Sequence, residues 1–183
     1  MPTSLGFFRL FTFKGNDNFW FTPNLLLQKT PSDSFTATAK LKLISKENNQ
    51  LGGLIMMGKD YTALVVKRVG EGFVLQQMTC KDADKGHAAT VTLLADLPKT
   101  GQDDNDYQFA IHEEIYLRMR VDKGIVRFAF SRNGKQFTET GTPFTMREGK
   151  WIGAKIGFVA QEPQGNSNRG WLDIDRFDIT NNP

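Results

Sequence analysis

The chain has 183 residues, of which 39% are hydrophobic and 23% charged, and its formal net charge is +3 at neutral pH. A domain of this length buries about 70% of the surface of its unfolded chain, so one domain over residues 1–183 is expected without disulfide support. The basic residues are scattered, so the sequence does not predict a positively charged surface that binds nucleic acid. The apolar runs are only a few residues long, so it does not predict a membrane-spanning helix.

The first residues and the single cysteine say little about the compartment. Residues 1–13 lack the basic start and long apolar core of a secretory signal. Either the protein is cytoplasmic or Met1 marks a truncated start, so the localisation stays open. Cys80 has no cysteine to pair with, and its position at the end of an apolar run indicates a small buried side chain rather than a nucleophile.

Strand signals dominate the chain from end to end. Apolar and β-branched runs are separated by Gly, Asn, Asp or Pro, and no helix-length segment with a helical apolar stripe lies between them. This pattern predicts an all-β sandwich or barrel. The predicted strands lie near Phe7–Phe13, Leu25–Lys29, Phe35–Ser45, Gly53–Met57, Thr62–Arg68, Phe73–Thr79, Thr90–Ala95, Tyr116–Val121, Ile125–Arg132, Gln136–Thr140, Lys155–Gln161 and Trp171–Thr180.

Three arginines are predicted to share one face of two neighbouring strands. Between residues 115 and 121 apolar side chains alternate with polar ones, which include Arg118 and Arg120. Arg127 has the same outward parity on the next strand. These arginines form either a solvated face or the floor of a polar groove or domain interface.

Two hairpin turns are predicted around glycines. Asp122-Lys123-Gly124 is expected to form a tight turn. Asn133-Gly134 gives the strongest hairpin signal, because both residues tolerate the positive φ that a type I′ turn requires.

The last predicted strand changes its side-chain parity. Leu172 and Ile174 share one parity and Phe177 and Ile179 the other, which predicts a β-bulge near Asp175–Arg176. Asp173 and Asp175 have the parity opposite to Leu172, so both are predicted to lie on the solvated face.

No pattern of catalytic or metal-binding residues emerges. His87 and His112 are interpreted as solvated, and no nucleophile elbow, phosphate loop or Cys/His cluster occurs. No catalytic residue, metal ligand or cofactor is predicted; calcium bound by the acidic run 103–106 in the loop Pro98–Asp106 is the one alternative.

Aromatic residues are plentiful, and most of the phenylalanines are predicted to be core. Two tryptophans stand apart from them, Trp20 and Trp151. Trp151 lies where a loop joins a strand, so core packing and an exposed contact with a sugar or a partner stay open.

The motifs FSRNGKQF, GKWIGAKIG and DIDRF, in this order over residues 130–177, resemble the C-terminal concanavalin A-like sandwich of glycoside hydrolase family 43 β-xylosidases and arabinofuranosidases. The resemblance extends over nearly the whole chain and implies a two-sheet antiparallel jelly roll. It also implies that the catalytic acid and base lie on a preceding five-bladed propeller, which this sequence does not contain. By motif position Trp151 corresponds to an aromatic residue, often Phe, that reaches the rim of the active site.

Three functions follow from these expectations. The leading one is a non-catalytic accessory module of a plant-polysaccharide hydrolase, which stabilises the enzyme and shapes its substrate site. The alternative is an independent lectin-like module that binds xylan-type glycans. The third, an enzyme in its own right, requires two carboxylates facing each other across a cleft, and the sequence offers no such pair.

Overall fold

The computed structural model describes residues 6–97, 111–150, 153–162 and 169–182. In these ranges the regular structure is β-strand apart from two short 3-10 turns, Phe19–Phe21 and Ala83–Lys85. The strands are β1 (Phe8–Phe11), β2 (Phe13–Lys14), β3 (Leu25–Lys29), β4 (Phe35–Ser45), β5 (Leu51–Met57), β6 (Tyr61–Val69), β7 (Gly72–Cys80), β8 (Thr90–Leu97), β9 (Ile111–Asp122), β10 (Ile125–Ser131), β11 (Thr138–Thr145), β12 (Lys155–Glu162) and β13 (Trp171–Asn181).

The strands form two sheets, which confirms the predicted sandwich. Sheet A has the order β1-β13-β4-β9-β10-β11, and sheet B has the order β2-β12-β5-β6-β7-β8, with β3 also pairing with β12. All the described pairings are antiparallel except that of β2 with β12. Strands that follow one another in the chain often lie in different sheets, as the connections of a jelly roll require.

The main core lies between the inner faces of the two sheets. Strand β9 shows the alternation that builds it: Leu117, Met119 and Val121 are fully buried, whereas Arg118 and Arg120 lie on the outer face. This confirms the predicted facing of the strand.

Sheet B is apolar on its outer face as well, and two chain segments cover that face. Phe19, in the first 3-10 turn, is fully buried and stacks on Tyr61 with ring centroids 5.3 Å apart. The Asn18 side-chain amide donates to the carbonyl oxygens of Ala83 (2.8 Å) and His87 (2.9 Å), which joins the two covering segments. The polar composition of Lys81–Ala88 is typical of a surface loop, yet this segment is partly a packed cover, because Ala83 within it is buried against sheet B.

The predicted strand Phe7–Phe13 is two strands in different sheets. At Thr12 the chain passes from the edge of sheet A to the edge of sheet B. Thr12 is fully buried, and its backbone N–H donates to the carbonyl of Gly170 at 2.9 Å. Apolar patterning alone does not mark this crossing.

The type I′ geometry occurs at one predicted turn and not at the other. Lys123 and Gly124 have φ values of 47° and 76°, as a type I′ turn requires. Strands β10 and β11 pair as the predicted hairpin, but Asn133 does not have a positive φ, so the type I′ turn predicted there is wrong. Its side-chain oxygen instead accepts hydrogen bonds from the N–H groups of Lys135 (2.9 Å) and Gln136 (3.0 Å), which shapes a longer connection between β10 and β11.

The predicted bulge in β13 is confirmed, but the prediction for Asp173 is wrong. Ile174 pairs with Leu41 and Arg176 with Lys40, so the register shifts across Asp175. Asp173 is only 9% exposed because the edge strand β1 covers it. Arg9 donates to both of its carboxylate oxygens, at 2.7 and 2.9 Å. Asp175 is exposed, as predicted.

Cys80 is buried in the outer cluster of sheet B, as predicted. Burial raises the pKa of its thiol, and its Sγ lies 3.1 Å from the carbonyl oxygen of His87. Because the thiolate is the reactive form, this environment makes Cys80 a packing residue.

Two phenylalanines of one 3-10 turn, Phe19 and Phe21, allow a test of how much the cover of sheet B contributes to stability. We expect Phe19→Ala to lower the free energy of unfolding by about 3–5 kcal/mol, because it removes a fully buried ring. The matched variant Phe21→Ala removes a ring that is 52% exposed, and we expect a change within about 0.5 kcal/mol. Urea unfolding of both variants measures the difference; equal losses would contradict the assigned packing.

Candidate functional site

The three predicted arginines lie on the outer face of sheet A, in two different environments. Arg118 is half-buried; its Nε donates to Thr38 Oγ1 at 3.0 Å, and its guanidinium lies 3.5 Å from the centroid of the Phe137 ring. Both contacts hold this side chain against the sheet. Arg118 is therefore a positioned cation with part of its donor set still available.

Arg120 and Arg127 lie directly opposite each other on β9 and β10, and both are exposed. No ion pair joins either of them to an acidic group within the described ranges. Like charges at directly opposite positions destabilise a sheet slightly. This arginine pair is thus a local positive surface whose charge the described part of the sandwich does not balance.

A polar groove lies beside Arg118 on the same face. It runs over β13, β4 and β9 and is lined by Thr36, Lys40, Tyr116 and Arg176, among others. Lys40 pairs with Asp175 at 2.9 Å, and this hydrogen bond raises the pKa of Lys40. The structure therefore brings Arg118 into a groove, whereas Arg120 and Arg127 are not part of its lining.

Trp151 lies outside the described residues, but the preceding loop is firmly anchored. Asp60, which is 5% exposed, accepts hydrogen bonds from Arg147 (2.5 Å), the Asp82 backbone N–H (2.7 Å) and Lys81 (3.2 Å). The Lys59 backbone N–H donates to the carbonyl of Glu148 at 3.2 Å. The buried carboxylate of Asp60 thus connects the loop to the turn between β5 and β6 and to the covering segment around Ala83.

Further contacts extend this anchor toward residue 150. Arg147 also donates to Asp82 at 2.8 Å, and the hydrogen bonds from Arg147 and Lys85 lower the pKa of Asp82. Lys150 pairs with the largely buried carboxylate of Asp84 at 3.4 Å. Trp20 and Lys150 line a pocket of about 400 Å³ at this place, so the sandwich forms a concave surface beside the loop.

A second surface lies where the first strands form the sandwich edge. Phe7, Phe8, Phe11 and Phe13 are between 41% and 52% exposed; we refer to them as the N-terminal aromatic edge. The prediction that phenylalanines are mostly core is wrong for these residues. The sequence does contain a signal, because adjacent Phe7 and Phe8 cannot both face one core from an extended strand.

The described residues offer no metal centre and no helix that could cross a membrane. No group of three or more His, Cys, Asp or Glu side chains is placed to hold a metal ion within the described ranges. No helix in those ranges is long and apolar enough to span a bilayer. The acidic run 103–106, with its calcium alternative, lies outside them.

Comparison with known proteins identifies the family to which this sandwich belongs. Residues 2–180 match the family described as the β-xylosidase C-terminal concanavalin A-like domain. A β-xylosidase of Formosa agariphila is 25% identical over 169 residues, which cover 89% of this chain and 24% of that protein. The chain therefore spans about a quarter of the length of that curated relative.

Solved structures show the same fold as part of longer chains. A family 43 protein from a Bacteroides ovatus xyloglucan locus superposes with a TM-score of 0.73 at 22% identity, over 96% of this chain and 33% of that one. A family 43 protein from Bacillus licheniformis gives a TM-score of 0.71 at 15% identity, over 97% and 33%. The sandwich, with the family match over nearly its full length, shows that this chain belongs to the C-terminal concanavalin A-like domains of glycoside hydrolase family 43.

Proposed function

We propose that this chain is a non-catalytic accessory module of a family 43 glycoside hydrolase that acts on plant polysaccharides, and that it packs against a catalytic propeller. The observation that carries the proposal is the N-terminal aromatic edge. Four half-exposed phenylalanines within seven residues are unusual for a surface that faces only water. Burying them against a second domain removes that apolar surface from solvent.

The arginine pair fits the same role as a peripheral contact. A partner surface with carboxylates opposite Arg120 and Arg127 balances the charge that the described sandwich leaves unbalanced. Arg118, whose guanidinium is already held by Thr38 and Phe137, supplies a fixed donor to the neighbouring groove. In this proposal the outer face of sheet A is a polar contact surface.

We assign the third contact to Trp151. The network around Asp60 fixes the loop up to Lys150 against the β5–β6 turn. If the loop stays anchored when a partner binds, less conformational entropy is lost on forming a contact through the next residue. In an enzyme of this family Trp151 would contribute to the rim of the substrate site and thereby restrict the length of the substrate.

The first prediction concerns activity. We expect the isolated chain to release no product from aryl β-xylosides or α-arabinofuranosides, because glycoside hydrolysis commonly needs two carboxyl groups facing each other. Within the described ranges the buried carboxylates of Asp60 and Asp173 are each bound by an arginine side chain, which keeps them from acting as such a pair. A colorimetric assay measures this, and turnover that persists at constant specific activity through a second purification would contradict the proposal.

The second prediction concerns the N-terminal aromatic edge. In a polypeptide that joins this chain to a family 43 catalytic propeller, Phe7→Ser with Phe8→Ser should lower the melting temperature. In the isolated chain the same pair should change it little, because both rings already face solvent. Val69→Ser, at an exposed position away from this edge, serves as control. Equal shifts in both polypeptides would contradict the interface.

The third prediction concerns the loop anchor. We expect Arg147→Ala to lower the urea midpoint of unfolding modestly, since it removes hydrogen bonds to two carboxylates from a partly exposed side chain. The Lys59 amide, which donates to Glu148, should exchange faster with deuterium. Arg127→Ala is the matched control, because its guanidinium has no described ion-pair partner. Unchanged exchange at Lys59 would show that Arg147 does not hold the loop.

The same anchor should weaken in acid. The folded-state pKa of Asp82 is lowered, so its contribution is present above the unfolded pKa of about 3.9 and is lost as the pH falls through the lowered value. Exchange at the Lys59 amide, corrected for the intrinsic effect of pH, should therefore rise below about pH 4.

A further inference from the structure

One of the two tryptophans that stand apart in the sequence, Trp20, takes no part in the contacts assigned above. It lies in the first covering segment of sheet B, and its side chain is half-buried, so part of the ring meets solvent. It lines the pocket of about 400 Å³ beside the anchored loop. That volume is within the range of about 300–1,000 Å³ typical of small-molecule sites. We refer to it as the Trp20 pocket.

The Trp20 pocket lies on the outer face of sheet B, where β3 and β5 end and β12 begins. Lys155 starts β12 and is paired with Lys29 of β3 and with Met57 of β5. Met57 is buried and closes the floor, whereas Leu27, on the same face of β3, is half-buried. The apolar surface that a ligand can touch is therefore on Trp20 and Leu27.

Glycines form part of the lining and keep the pocket open. Gly58, Gly149 and Gly153 all line it. A Cβ atom at Gly58 would lie 1.7 Å from the carbonyl oxygen of Arg147, so only glycine allows the anchored loop to come this close. A Cβ atom at Gly153 would have no heavy atom within 4 Å, so the space beside it is free. These three positions contribute backbone and no side chain that could cover the indole ring.

The charged side chains of the lining are both cations, Lys150 and Lys155. Lys150 pairs with Asp84 at 3.4 Å, but its side chain remains 51% exposed. No carboxylate within the described ranges pairs with Lys155. Each ammonium group has three donors, so both lysines can donate to a ligand. Charge complementarity therefore favours an anionic ligand over a neutral or cationic one.

The distance between cation and ring suits a ligand that has an apolar face and a charged edge. Lys150 Nζ lies 5.8 Å from the centroid of the Trp20 ring, close to the outer limit of about 6 Å for a cation–π contact. A carboxylate at the edge of a ring that stacks on the indole can therefore reach this ammonium group. A pyranose ring has an apolar C–H face and peripheral hydroxyl groups, and a hexuronic acid adds a carboxylate at the edge of the ring.

We propose that the Trp20 pocket binds a hexuronic acid unit of a plant glycan, with the sugar ring against Trp20 and the carboxylate paired with Lys155 and Lys150. The preference for a carboxylate follows from the pocket itself, whereas the choice of a sugar acid rests on the proposed function. The pocket is separate from the N-terminal aromatic edge and from the arginine pair. The chain therefore favours glycans with acidic branches whether or not a propeller is attached.

The test is a titration of the isolated chain with xylotriose that carries a 4-O-methylglucuronic acid branch and, separately, with neutral xylotetraose. Calorimetry should show that the acidic glycan binds about fivefold or more tightly than the neutral one, equivalent to one additional hydrogen-bonded contact. Chemical shifts should change at the Trp20 indole N–H and at the amides of Leu27 and Lys155. The difference between the two glycans should decrease as the salt concentration rises, because the lysines are partly exposed.

Two pairs of variants locate the binding. Trp20→Ala should weaken binding of the acidic glycan about tenfold, because it removes the ring that the sugar contacts. Its matched control is Phe21→Ala, which removes an exposed ring of the same 3-10 turn that does not line the pocket. Lys155→Gln should reduce the affinity for the acidic glycan to that for xylotetraose, and it guards against a folding defect in Trp20→Ala. Lys135→Gln, at an exposed lysine between β10 and β11, is the control for charge.

The outcomes separate this inference from the accessory role. Preferential binding of the acidic glycan that is weakened by Trp20→Ala and Lys155→Gln, and kept in both controls, supports it. No binding of the acidic glycan by the folded chain overturns it and leaves the accessory role intact. Equal binding of both glycans overturns it, as does tighter binding of ferulate, an aromatic carboxylate, that is lost in the same variants. Release of product from either glycan would instead contradict the accessory role.

Discussion

The central constraint on this structure is that sheet B is apolar on both faces. Strand β5 and the first six residues of β6 are buried throughout, so one face packs on sheet A and the other must be covered separately. The cover comes from two short segments around Phe19 and Ala83, which the Asn18 amide joins. The same cover supports the anchored loop, because Arg147 and Lys150 bind Asp82 and Asp84 within it.

Sheet A has no apolar outer face to cover, so the outer faces of the two sheets differ in their chemistry. Its outer face is polar, with Thr, Lys and Arg side chains that hydrogen-bond or pair along the strands. Such a face needs no cover, and any partner that met it would do so through charge, which is long-ranged and sensitive to salt. Sheet B covers its outer apolar face with segments of its own chain, so the surface it offers to a partner is set by the shape of that cover. The two faces therefore suit partners of different chemistry.

Most of the fold could be predicted because strand periodicity is a local signal. The alternation in β9, the bulge near Asp175 and the buried Cys80 follow from residue parity and apolar runs. The errors come from nonlocal effects: Asp173 is buried because β1 lies beside it, 164 residues away along the chain. Asn133 forms side-chain hydrogen bonds where a type I′ turn was expected, because turn composition permits both.

The candidate sites were less predictable, since each depends on how distant segments meet. The arginine face follows from parity alone, but Gln161 becomes a buried acceptor only because residues 15–16 lie over it; a methyl group at Gly15 would approach its side chain to 2.5 Å. Gly15 is thus needed for a close approach that no periodicity reveals. The residues just before this segment, on both sides of the crossing at Thr12, form the N-terminal aromatic edge. One short stretch of chain thereby places four aromatic rings at the surface and, a few residues later, buries the side chain of Gln161.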